Sequence, residues 1–100
     1  MQIQERRIQK GIKDQKAYQD WEQKFEAIEK RLGAFPTKRH YSLLSGSDDN
    51  GTMVWEREWE SFAAMEAAYE KLAAATEFQD LVVSADSILS GERIEYYIVS

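Results

Sequence analysis

Thr52-Met53-Val54-Trp55-Glu56-Arg57-Glu58-Trp59-Glu60-Ser61-Phe62-Ala63-Ala64-Met65-Glu66 changes period part-way along. Up to Trp59 the side chains alternate. Met53, Trp55, Arg57 and Trp59 fall on one face of a strand, and Val54, Glu56 and Glu58 on the other. From Ser61 the apolar residues come at helical spacing. Phe62, Met65, Tyr69 and Leu72 form a stripe with Ala68 and Ala73 beside it, and Ser61 stands where an N-cap belongs.

Upstream, Ser45-Gly46-Ser47-Asp48-Asp49-Asn50-Gly51 is rich in turn formers and reads as a hairpin loop. Residues 37–45 alternate, Lys38, His40 and Ser42 against Arg39, Tyr41 and Leu43, and read as the partner strand. Residues 15–32 give the clearest helix: Tyr18, Trp21, Phe25, Ile28 and Leu32 recur at helical spacing. Asp14 is placed to cap it, Gly33 to end it, and Pro36 follows. On its charged face Glu22 and Glu26 are like charges at i,i+4, which Glu26–Lys30 and Asp20–Lys24 pairs would offset. Residues 1–10 read as a weaker strand, because Ile8 breaks the alternation begun by Met1 and Ile3; a bulge near Arg6-Arg7 would explain the shift. Downstream, residues 76–89 suggest a short irregular helix capped by Thr76, and Glu92 to Val99 the last strand. The order β-α-β-β-α-(α)-β in one domain, residues 1–100, predicts an α+β, ferredoxin-like fold: a four-stranded antiparallel sheet with two main helices on one face.

Composition narrows function. The chain of 100 residues has no cysteine and one histidine, His40, which excludes disulfides, thiolate chemistry and cysteine-based metal sites. The net charge is −5, and residues 51–100 carry most of the acid. Without a basic stripe, nucleic acid is not the expected partner. Apolar runs are far below the roughly 20 residues of a membrane span, and the charged start Gln4-Glu5-Arg6-Arg7 lacks a signal peptide's apolar core. The expectation is a cytoplasmic protein with no membrane partner. No phosphate loop, dinucleotide fingerprint, catalytic triad or carboxylate cluster at metal spacing is visible, so neither metal nor cofactor is expected.

With both helices on one face, the other sheet face is left bare. It mixes charge with large apolar groups: Val54, Glu56 and Glu58 on one strand, Arg93, Glu95, Tyr97 and Val99 on another. Such a face suits burial against a second copy through a two-fold contact, so a homodimer is expected.

Trp55 to Glu66 resembles the strand-to-helix signature of the dimeric α+β barrel superfamily, in its antibiotic-biosynthesis-monooxygenase-like and NIPSNAP-like branches. Glu77-Phe78-Gln79-Asp80-Leu81 is similar to their post-helix segment, and Ile8-Gln9-Lys10-Gly11 to the end of their first strand. The resemblance implies a homodimer whose sheets face each other as a barrel, with a pocket between sheet and helices or at the barrel mouth. It includes cofactor-free monooxygenases, isomerases, haem-degrading enzymes and proteins of unknown role, so it does not fix chemistry. Trp59 matches the strand-end tryptophan that lines the pocket in some members. The histidine that haem-degrading members carry on the second helix has no counterpart in Glu66-Ala67-Ala68-Tyr69-Glu70-Lys71. The first-strand asparagine is also missing, since the only asparagine is Asn50. Both departures speak against haem degradation and weaken a monooxygenase assignment.

The candidate site residues follow from chemistry. Trp55 and Trp59 can form an aromatic wall for a flat ligand, or simply core. Arg57 between them needs a partner, a ligand anion or ring stacking if buried. Glu56 and Glu58 can serve as a base if buried together, or pair with Arg6 or Arg93 across the sheet. His40 can relay protons or lie at the surface, and Tyr41 can orient a ligand by its hydroxyl. Two functions remain open: a protein that binds or transforms a small apolar or aromatic molecule without a cofactor, and a non-catalytic homodimeric module with a filled barrel.

Overall fold

The computed structural model describes residues 1–46, 48 and 51–100. Most of the expected loop over residues 45–51 therefore lies within the description, but Ser47, Asp49 and Asn50 lie outside it. The elements are β1 (Ile3–Lys10), α1 (Gln15–Leu32), β2 (Arg39–Ser42), β3 (Met53–Trp59), α2 (Phe62–Ala73), α3 (Thr76–Val83), α4 (Ala85–Ile88) and β4 (Gly91–Ile98). The sheet has the order β2-β3-β1-β4 and every neighbouring pair is antiparallel. This is the predicted α+β, ferredoxin-like arrangement. Among the described residues no helix is long and apolar enough to cross a membrane.

Local chemistry sets the helix ends. Asp14 Oδ1 accepts from the backbone N–H of Lys16 at 2.9 Å and of Ala17 at 3.1 Å, two donors that no helical carbonyl can reach. Gly33, at φ 74°, closes α1 and donates to the Glu29 carbonyl. Ser61 Oγ accepts from Ala64 N at 3.1 Å and starts α2.

Four expectations need correction. No bulge interrupts β1, because its register runs unbroken from Ile3 opposite Trp59 to Gln9 opposite Met53. The apolar period fails for another reason: the helix-facing residues after Ile3 are Glu5, Arg7 and Gln9, while Ile8 faces the other way between Val54 and Arg93. Ile8 is nonetheless buried, and Asp48 from the β2–β3 loop bonds Lys10 and Arg93 on either side of it. The strand over residues 37–45 shortens to the four residues of β2 at a sheet edge. Residues 76–89 form two helices rather than one, and Ala75, not Thr76, precedes the first without a side-chain cap. Glu26 pairs with His40 across to β2, and the i,i+4 pair on the outer face of α1 is Lys16–Asp20.

The register assigns the faces. Met53, Trp55, Arg57 and Trp59 share the helix side with Ile3, Glu5, Arg7 and Gln9. Two apolar clusters lie under the helices. One holds Tyr18, Trp21, Ile28, Leu72, Leu81 and Leu89; the other holds Ile3, Trp59, Met65 and Ala68. The charged middle of β1 and β3 lies between them.

Candidate functional site

Glu5 is fully buried on the helix side of the central strand. It survives there because four donors reach it. Arg57 Nε and Trp59 Nε1 bond its Oε1 at 3.0 and 2.9 Å. Arg7 Nε bonds Oε2 at 3.0 Å, and the Tyr69 hydroxyl donates to the same oxygen. Burial pushes the Glu5 carboxyl up, but Arg57, Arg7 and the hydrogen bonds outweigh it and hold the group below its ordinary value. Arg57 is equally enclosed: Nη1 bonds Glu29 Oε1 at 2.9 Å and Nη2 the Tyr69 hydroxyl at 2.6 Å. Its guanidinium lies 4.7 Å from the Trp55 ring centre and 4.8 Å from that of Phe35.

Beside this network a cavity of about 290 Å³ opens between the sheet and helices α1 to α4. Trp21, Phe25, Trp55, Leu72 and Phe78 supply apolar wall, with the Phe25 ring edge-on to both Trp21 and Phe78. The charged wall is balanced, with Arg7, Lys38 and Arg57 against Glu22, Glu29 and Glu92. Two buried polar atoms on this wall have no hydrogen-bond partner among the described residues: Trp55 Nε1 and Glu22 Oε2. Lys38 Nζ stands 3.5 Å from that Glu22 oxygen, an ion-pair distance without a hydrogen bond, and 4.2 Å over the Trp55 ring. Burial raises the Glu22 carboxyl above its ordinary value, and Lys38 only partly opposes it.

The candidates from the sequence divide. Trp55 and Arg57 line the cavity. Trp59 sits in the second core cluster against Phe35 and Tyr69, off the cavity wall. His40 lies at an outer cleft of about 400 Å³, with Nε2 2.8 Å from Glu26 Oε1. Tyr41, Glu56 and Glu58 are on the opposite sheet face, because they lie an odd number of register positions from Trp55 and Arg57. There Glu56 takes bonds from Arg6 Nε at 3.2 Å and Arg6 Nη2 at 3.1 Å, while Glu58 is exposed. The two carboxylates form no buried pair.

The sequence reading missed Glu22, Glu29, Lys38, Arg7 and Tyr69. A signal existed for two of them. Glu22 lies four residues after Tyr18 and three before Phe25, and Glu29 lies four after Phe25 and three before Leu32, so both fall on the apolar stripe of α1. The absence of a carboxylate cluster at metal spacing also needs correction: Glu22, Glu26 and His40 bring one ligand atom each within 4.8 Å of the others.

No protein-family model matches the chain, and no curated protein matches it in sequence. Solved structures do. A NIPSNAP family protein from Agrobacterium tumefaciens superimposes with a TM-score of 0.78 at 12% identity, over 100% of this chain and 94% of that one. A NIPSNAP domain protein from Burkholderia xenovorans gives 0.75 at 15%, over 100% and 95%. SnoaB, a cofactor-independent oxygenase from Streptomyces nogalater, gives 0.70 at 11%, over 98% and 92%. The chain shares the fold of these proteins, a four-stranded antiparallel sheet with helices packed on it. The expected resemblance is borne out at the level of fold. At 11–15% identity the α+β barrel likeness carries architecture and no chemistry.

Proposed function

We propose that this α+β barrel protein binds a small, flat, uncharged aromatic molecule in the cavity between sheet and helices. The observation that carries the proposal is the pair of buried atoms without a hydrogen bond, Trp55 Nε1 and Glu22 Oε2, beside the aromatic part of the wall. Buried polar groups without partners are rare and costly, so a ligand offering an acceptor to the indole and a donor to the carboxylate would relieve both. Size and charge support the same class. The volume of about 290 Å³ is about twice the ~150 Å³ that holds one benzene, which suits two fused rings. The wall's balanced charges require no ion from the ligand. Naphthols and hydroxyquinones have this shape and this donor–acceptor pattern. The molecule is further proposed to work as a homodimer in the cytoplasm.

Titration with 2-naphthol, followed by tryptophan fluorescence, tests the reading. Saturable binding is expected, weakened about fivefold to tenfold in Trp55→Phe, since one hydrogen bond to a neutral group contributes about 1 kcal/mol. Absence of saturation with naphthols and hydroxyquinones alike would sink it. A second reading, a homodimeric module without ligand, is favoured by the pairing of each Arg57 side-chain nitrogen inside the chain. Native mass spectrometry of freshly purified protein separates the two, because a co-purified small mass belongs only to the first.

A further inference from the structure

We propose that Glu22, Glu26 and His40 form a site for a late first-row divalent cation, of the Zn²⁺ or Co²⁺ kind, at the cavity rim. Glu22 and Glu26 are one turn apart on the same face of α1. His40 comes from edge strand β2, on the helix side opposite Trp55. One ligand atom from each residue lies within 4.8 Å of the other two, and His40 Nε2 is already 2.8 Å from Glu26 Oε1. Three ligands on a tetrahedral zinc at 2.0–2.1 Å stand about 3.4 Å apart, so side-chain movement of about an ångström closes the set without backbone change.

A second observation at the cluster is the burial of Glu22. Its side chain is more than nine-tenths buried, at 7% exposure, and its Oε2 accepts no hydrogen bond among the described residues. The nearest positive group, Lys38, does not neutralise the cluster. Its Nζ is shared between Glu22 at 3.5 Å and Glu29 at 3.7 Å. Glu29 also pairs with Arg57 at 2.9 Å. Glu22 and Glu26 together carry two charges against the single one of Lys38, which leaves a net negative rim. One imidazole nitrogen with two carboxylate oxygens suits zinc and cobalt; calcium and magnesium take all-oxygen sets. Three protein ligands leave a coordination position open. Glu22 lines the inner cavity, and Glu26 and His40 line the outer cleft, so the ion would lie between the two spaces.

The experiment is calorimetric titration of the tag-free protein with Zn²⁺, together with visible absorption of added Co²⁺. His40 is the chain's only histidine and there is no cysteine, so imidazole-dependent uptake has one source. One ion per chain is expected. His40→Asn and Glu26→Gln should each weaken it at least tenfold and abolish the Co²⁺ absorption, since even outer-shell changes cost about 10–100-fold in metal affinity. Glu77→Gln, at an exposed acid paired with Arg31, should leave it unchanged. Circular dichroism confirms that each variant is folded. No saturable uptake by the wild type, or equal affinity in His40→Asn, overturns the proposal. Neither result depends on the aromatic ligand.

Discussion

Glu5 shows how far a single residue can hold a fold together. It is a buried carboxylate whose oxygens are filled by Arg57, Arg7, Tyr69 and Trp59. Removing its charge leaves two guanidiniums short of a partner in the protein interior. Glu5→Gln should therefore cost about 3–5 kcal/mol, a large part of the roughly 5–15 kcal/mol that holds a domain folded, as read by urea unfolding. A loss below 1 kcal/mol would mean that the network contributes little. The pH dependence follows from the same contacts. The folded carboxyl titrates below its ordinary value of 4.5, so its contribution is complete above that pH and is lost as the pH falls through the lower folded value. Glu22 has the opposite sign. Its folded carboxyl titrates above 4.5, so folding is favoured with the group protonated and is penalised as the pH rises through the folded value. Glu22→Gln should raise the melting temperature by a few degrees at pH 7 and change it little at pH 4. An unchanged or lower melting temperature at pH 7 would contradict the assignment of Glu22 as a residue that costs stability.

Elements differ in how legible they were, and the reasons are physical. The strand-to-helix passage through Trp59 and Ser61 was readable because alternation, cap and stripe agree. β1 was obscure because the sheet places Glu5, Arg7 and Gln9 on the helix side and turns Ile8 to the other face, so its apolar pattern is inverted after Ile3. No single-strand period can reveal that; the partner charges sit on β3, α1 and α2. Of the site, Trp55 and Arg57 were readable from β3, while Glu22 and Glu29 were hidden as ordinary surface charges on α1. The β1–α1 turn gives an element-scale test. Gly11 has φ 63°, and a Cβ there would meet Ser90 Oγ at 1.8 Å, beside the Ser90 N to Lys10 O bond of 3.0 Å. Gly11→Ala combines left-handed strain with a clash against the start of β4. It should lower stability by about 1–3 kcal/mol, and Gly33→Ala, with nothing within 4 Å of its Cβ, should lose less. Equal losses at the two glycines would show that Ser90 yields freely.

At the scale of the molecule, the chain is a slab of 35 × 34 × 17 Å, two layers deep with one bare sheet face. That face is knitted within the chain: Arg6 joins Glu56 and Glu95 at 3.1 and 3.8 Å, and the Tyr97 hydroxyl donates to Glu95 at 2.7 Å. Its charges are thus largely paired before any partner arrives, which lowers the cost of covering it. Tyr41 and Tyr97 remain exposed on the same side, and Ile94, Tyr96 and Ile98 leave β4 apolar along the sheet edge. Stacking two slabs by their bare faces would bury the tyrosines and give a body about as thick as it is wide. The prediction is a dimer at micromolar concentration, with a native mass twice 11.6 kDa. Tyr41→Asp combined with Tyr97→Asp should convert it to a monomer, because each new carboxylate would have to be buried in the contact without a partner. The cavity lies on the other side of the sheet, so the monomeric variant should still bind 2-naphthol with unchanged affinity. A monomeric wild type would leave the bare face without a partner copy. A dimer that survives both aspartates would place its interface elsewhere, with the β4 edge as the first alternative.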